Sequence, residues 1–199
     1  MSEDVEAILG PGVRATGGGP EGWLEQTERF LELLRVRNRQ VNLVSRKTAD
    51  EVVRRHALPS LATLRLVPPD TPLRWLDIGS GGGFPGMVLK ILRPQVRIDF
   101  VEATRKKCEF LEECVEALEL ADARVHWCRI EKPTEELQER APFDLAVARA
   151  VGSEDRIRQA GHRLLRKGGA VWVFAEPGSG DEVVGTDATG RAVTALKKL

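Results

Sequence analysis

The sequence predicts an α/β fold built on a parallel sheet, and three observations carry that prediction. From Arg74 onward, short apolar strands alternate with helical stretches, the pattern of a parallel sheet covered by helices on both faces. The first of those strands runs into Gly79-Ser80-Gly81-Gly82-Gly83, four glycines in five positions, and Pro85 then opens a helix, where its missing N–H leaves no bond unmade. Ahead of Arg74 the apolar residues recur only at helical spacing, so a helical cap precedes the sheet.

Taken in order, residues 1–20 read as a disordered leader. Gly10 to Pro20 hold five Gly and two Pro in eleven positions, with too little apolar surface to pack. Residues 21–72 form the cap. Leu24, Phe30, Leu31, Leu34 and Val41 predict an amphipathic helix from Trp23 to about Asn38. Val52, Val53, Leu58, Leu61, Leu64 and Leu66 predict a second over Ala49–Leu66, where Pro59 makes a kink or a junction between two shorter helices. Pro68, Pro69 and Pro72 close the cap.

Residues 73–199 form the core. Strands are expected at Arg74–Ile78, Arg97–Val101, Arg124–Trp127, Leu145–Ala148 and Ala170–Phe174, with helices at Pro85–Leu92, Thr104–Leu120, near Thr134–Arg140 and at Glu154–Leu165. Gly178, Gly180, Gly185 and Gly190 punctuate the tail, and Arg191 to Leu196 alternates as one last short strand.

Composition removes several function classes. Thirty basic residues balance 30 acidic ones, so global charge gives no argument for nucleic acid, although a local basic face stays open. The longest apolar run, Ala170 to Ala175, falls far short of the roughly 20 residues of a membrane span. The acidic, Gly-rich first 20 residues lack a secretory signal. Cys108, Cys114 and Cys128 lack C-x-x-C spacing, which reads as reduced thiols in a cytoplasm, with no disulfide framework and no metal site.

The glycine loop points to a ligand. Gly81-x-Gly83-x-x-Gly86 matches the dinucleotide fingerprint. Asp77, just before the first glycine, argues against a pyrophosphate and suits the ammonium and sulfonium of S-adenosylmethionine. Glu102 follows the second strand, where folds of this type place an acid that accepts both ribose hydroxyls; it equally suits the dipole of the helix that follows. Ile130-Glu131 and Arg149 end the third and fourth strands, at the edge where open α/β sheets bind ligands.

Together these segments resemble the bacterial glucose-inhibited division protein B family, the small-subunit ribosomal RNA guanine-N7 methyltransferases. The resemblance is carried by Asn42-Leu43-Val44-Ser45, Arg54-Arg55-His56 with Ser60, Leu76 to Gly86, Lys106-Lys107 with Phe110-Leu111, Phe143-Asp144 and Ala148-Arg149-Ala150. It covers about residues 25–176. It implies a Rossmann-like class I S-adenosylmethionine-dependent methyltransferase fold and methylation of N7 of guanine 527 in 16S rRNA. It implies cofactor contacts at Gly79, Phe84, Glu102, Ala103, Thr104, Ile130, Glu131 and Arg149. Pro59 stands where the family usually has Asp, and Ala148-Arg149 replaces its usual Ser-Arg. Only 24 residues follow Ala175, so a shortened sheet edge is expected.

The substrate side rests on charge and on the chemistry of the base. Between Arg29 and Val67 nine cations face three acids, a local +6 that can present a phosphate-binding face through Arg46, Lys47, Arg54 and Arg55. A pair of solvated helix faces would carry the same charges. Arg105-Lys106-Lys107 adds cations near the expected cofactor mouth. Guanine N7 carries a free lone pair and attacks a sulfonium methyl without deprotonation, so no catalytic base is expected. The expected partner is 16S rRNA or the small ribosomal subunit, met by a cytoplasmic monomer without a metal or membrane. A methyltransferase of small molecules and a non-catalytic S-adenosylmethionine- or RNA-binding module are the alternatives.

Overall fold

The structure, a computed structural model, describes residues 2–45, 49–149, 154–175, 182–186 and 192–199. Arg46 and Lys47 of the expected phosphate-binding set lie outside these, as do Ala150, the glycines at 178, 180 and 190, and Arg191.

Seven strands form one sheet in the order β3-β2-β1-β4-β5-β7-β6. They are β1 (Arg74–Ile78), β2 (Arg97–Glu102), β3 (Ala123–Trp127), β4 (Phe143–Ala148), β5 (Leu165–Ala175), β6 (Glu182–Thr186) and β7 (Ala192–Lys198). The first five pair in parallel, and β7 runs antiparallel to both β5 and β6. Strand β1 pairs on both sides and is buried from Trp75 onward, as a central strand between two helical layers must be. The alternation of its side chains sends Trp75 into the larger core cluster, with residues of α5 (Gly86–Leu92) and α6 (Arg105–Ala117). Leu76 and Ile78 enter the second cluster, with α7 (Glu135–Arg140) and α8 (Glu154–Leu164).

The N-terminus departs from the expected disorder. Residues Ser2–Ala15 form helix α1, and Val5, Ile8, Leu9 and Val13 are buried in the core. That stripe has helical spacing, and its burial offsets the low helix propensity of Gly10, Pro11 and Gly12. A Cβ on Gly12 would lie 2.7 Å from the end of the Leu61 side chain, so any larger residue there must displace that side chain. Arg93, 3% exposed, fixes the end of α1 by donating to the carbonyls of Thr16 (2.5 Å) and Gly18 (2.8 Å) while reaching Leu92 and Val67 behind it.

Helix α2 (Trp23–Arg37) follows the expected span. The stretch after it changes type around the proline: α3 (Ala49–Val52), a π-turn over Val53–Ala57, α4 (Leu58–Ser60) and a 3-10 turn over Leu61–Leu66. Pro59 lacks the N–H that an α-helix would aim at the Arg55 carbonyl, and widening the preceding turn accommodates it. At the far edge the structure adds β6, which the sequence reading lacked, beside the expected last strand.

Candidate active site

At the carboxyl ends of β1, β2 and β4 the structure opens a cleft of about 620 Å³, within the range of small-molecule sites. Its floor is the turn from β1 into α5. Gly79 (φ 72°) and Gly83 (φ 89°) hold left-handed backbone there, which only glycine adopts at no cost. Gly82 is tight for a different reason: a Cβ would stand 3.1 Å from Val44 and 3.2 Å from the Leu43 carbonyl. The loop thus meets the chain after α2, and Asn38 holds that chain by accepting the N–H groups of Leu43 (2.8 Å) and Val44 (3.0 Å).

Glu102 ends β2 with its side chain against this floor and is 7% exposed. One carboxylate oxygen accepts the Gly81 N–H (3.0 Å), the other the Thr104 N–H (2.8 Å). Each oxygen keeps a lone-pair direction for a ligand hydroxyl, so the acid both fixes the loop and stays able to accept.

Of the residues singled out from sequence, Gly79, Phe84, Glu102, Ala103, Ile130, Glu131 and Arg149 line the cleft. Thr104 does not: it is the N-cap of α6 and serves Glu102 through its backbone. Asp77 is also absent from the lining. It points with Trp75 toward α5, where a Cβ on Gly86 would come 2.5 Å from its carboxyl oxygen. At 1% exposure neither oxygen has a well-formed hydrogen bond. Burial pushes its pKa up to about 7, against the smaller opposing effects of Ser80, the Gly86 N–H and Arg149. Contrary to the expectation from sequence, Asp77 therefore underlies the loop and does not face the ligand.

Arg149 lines the cleft but directs its guanidinium to backbone. It donates to the carbonyls of Arg55 (2.5 Å) and His56 (3.2 Å) and lies 5.1 Å from the Phe174 ring centroid. Burial lowers its pKa to about 10, with Asp77 opposing. His56, whose role the sequence left open, stacks on Phe84 of the glycine loop at 5.3 Å. The π-turn before Pro59 is therefore gripped from the end of β4 and from the glycine loop, and its exposed Arg54 and Arg55 stand beside the cleft.

Lys107, expected near the cofactor mouth, lines the cleft, and so do Val44, Ser45, Arg129 and Arg156, to which the sequence assigned no site role. The signal for Val44 and Ser45 was Asn38 at the end of α2, a residue type that folds the chain back through its amide oxygen. Four cations (Lys107, Arg129, Arg149, Arg156) against two acids (Glu102, Glu131) give the lining a positive balance. Among the described residues, no group of three or more His, Cys, Asp or Glu is placed to hold a metal ion, and no helix is long and apolar enough to cross a membrane.

Comparison with known proteins agrees with this architecture. The family model GidB, rRNA small subunit methyltransferase G, matches residues 23–194. The chain is 40% identical over 161 residues to the ribosomal RNA small subunit methyltransferase G of Roseiflexus castenholzii, covering 81% of this chain and 68% of that protein. It is 36% identical over 159 residues to the protein of the same name from Deinococcus radiodurans, covering 80% of this chain and 63% of that one. The chain thus spans about two thirds of the length of these relatives. Coclaurine N-methyltransferase bound to N-methylheliamine and SAH superimposes with a TM-score of 0.53 at 18% identity, over 72% of this chain and 42% of that one. At that identity the likeness is one of fold, a Rossmann-like sheet of the class I methyltransferase type. A match that runs from α2 into β7, with relatives well above 30% identity, fixes the lineage: the chain belongs to the GidB family, rRNA small subunit methyltransferase G.

Proposed function

We propose that the protein transfers a methyl group from S-adenosylmethionine to N7 of guanine 527 in 16S rRNA. The observation that carries the reading is the placement of Glu102 at the floor of the cleft, in a chain whose family is named for rRNA methylation. The residues present fit the donor. Glu102 retains acceptor capacity toward ribose hydroxyls; Ala103, Ile130 and Glu131 flank it and would hold the nucleoside end. Gly79 and Phe84 would hold the amino-acid end, Thr104 acting only by fixing Glu102. When bound, S-adenosylmethionine supplies an electrophilic methyl carbon on a sulfonium.

The protein's own task is alignment. N7 of guanine presents a lone pair outside Watson–Crick pairing, so no residue need remove a proton, and holding nucleophile and methyl group in line can supply about 7–11 kcal/mol. The positive balance of the cleft lining, with Arg54 and Arg55 beside it, suits the phosphates around the target base. The partner is 16S rRNA, free or in the small subunit, and the protein acts as a cytoplasmic monomer.

Calorimetry with S-adenosylmethionine and NAD, followed by transfer of labelled methyl groups to small subunits that lack the modification, tests the reading. Donor binding and label in rRNA are expected. Binding of NAD without response to the methyl donor would overturn the cofactor. Donor binding without RNA labelling would point to a small-molecule substrate or a non-catalytic module.

A further inference from the structure

Among the described residues only two large hydrophobic side chains stay well exposed, Val36 and Trp127. Trp127 ends β3, is 57% exposed, and sits opposite Glu102 in the β2–β3 register. Its ring is fixed in place. The indole N–H donates to the Ala103 carbonyl (3.0 Å), and the Arg105 guanidinium lies 5.4 Å from the ring centroid. Ala103 lines the cleft, so this indole stands at the cleft's rim without belonging to its lining.

We propose that Trp127 and Arg105 form a stacking platform for an unpaired base of the rRNA strand. The inference rests on the reading that RNA is the substrate. An exposed indole loses little entropy on binding when its orientation is already set by a hydrogen bond and a stacked cation. Single-stranded RNA is held by such aromatic and guanidinium planes, on which bases stack regardless of sequence.

The surroundings favour a polyanion over a protein partner. Lys106, next to Arg105 in the chain, and Arg129, two residues after Trp127, are exposed, and Lys107 and Arg129 reach the cleft lining. Glu109 pairs with Arg105 from one turn further along α6 at 3.3 Å and steadies it under the ring. A protein interface would need a cluster of apolar anchors, whereas among the described residues Val36 is the one other large hydrophobic side chain left well exposed, and the group on the Trp127 ring is the Arg105 cation. The platform would grip the strand on the side of the cleft away from Arg54 and Arg55, so that rRNA is held on both sides of the methyl donor.

The test measures the affinity of a short single-stranded rRNA oligonucleotide for wild type, Trp127→Ala and Trp127→Phe at several salt concentrations. Loss of one stacked base predicts weakening of about 5- to 150-fold for Trp127→Ala, with Trp127→Phe keeping most of the affinity because its ring can still stack. The weakening should be the same at every salt concentration, since stacking releases no counterions, whereas a lost phosphate contact would reduce the log–log slope by about 0.7. Affinity for S-adenosylmethionine should not change in either variant. Equal RNA affinity for wild type and Trp127→Ala overturns the platform and leaves the methyltransferase reading standing. Failure of the wild type to bind the oligonucleotide also overturns the platform, while the methyltransferase reading is decided separately by label transfer to small subunits.

Discussion

Replacing Arg149 by alanine removes two hydrogen bonds from a cationic donor to the Arg55 and His56 carbonyls and the contact with Phe174. Hydrogen bonds of a charged group contribute about 1.5–3 kcal/mol each, and a cation over an aromatic face about 0.5–1 kcal/mol where solvent reaches it. Because water can replace the bond to Arg55 at the exposed rim, that bond adds little, and the remaining bond with the ring contact gives a total loss of about 2–4 kcal/mol. For a chain of this size each kcal/mol moves Tm by about 2–4 °C, so a fall of roughly 4–16 °C is expected by scanning calorimetry. Arg149→Lys, with a single ammonium, should recover about half of the loss. Methyl transfer should fall in Arg149→Ala as the π-turn carrying Arg54 and Arg55 loosens. Pro59→Ala gives a second handle. It restores an N–H that can serve the Arg55 carbonyl, so Arg149→Ala should cost less in that background than alone. An Arg149→Ala protein that melts within about 1 °C of wild type, with additive effects in the double variant, would refute the clamp.

Two further perturbations follow from buried groups. Asp77 titrates near 7 in the folded chain, above its ordinary value because it is buried, so its protonated form adds stability that is complete below about pH 4 and is lost as pH rises to about 7. Asp77→Asn should flatten that part of the stability–pH curve and narrow the gap to wild type above pH 7; a wild-type curve flat between pH 4 and 7 would contradict it. Arg93→Ala should free α1, since the carbonyls of Thr16 and Gly18 lose their donor. Limited trypsin digestion should then cut at Arg14 well before the core, and equal protection of Arg14 in both proteins would show that α1 docks without that residue.

How much of this was legible in the sequence depends on where the signal lay. The sheet was readable because β1, β2 and β4 are short runs of apolar residues with turns between them, and their expected spans differ from the observed ones by two residues at most. The glycine loop was readable because a strand end followed by glycines has few other uses, and Glu102 because it is an acid at the carboxyl end of the next strand. Helix α1 was obscured by Gly10, Pro11 and Gly12, whose propensity cost is offset by burial of Val5, Ile8, Leu9 and Val13 in the core and by the Arg93 anchor, contacts far away in sequence. Arg149 was readable as a residue of the cleft, but not as a donor to the Arg55 and His56 carbonyls more than 90 positions away. Asp77 was misdirected because strand alternation, read from Trp75, sends it toward α5 and away from the ligand face.

In the proposed reaction the cleft over Glu102 places a methyl group on guanine N7 in 16S rRNA. Its most direct test is to incubate the protein with S-adenosylmethionine and unmodified small subunits, then cleave the rRNA by borohydride and aniline, which break the strand at N7-methylguanine, and map the ends by primer extension. One new stop beside guanine 527 is predicted with wild type, and a much weaker one with Glu102→Ala. No stop at guanine 527 with a protein that binds the methyl donor would contradict the claim.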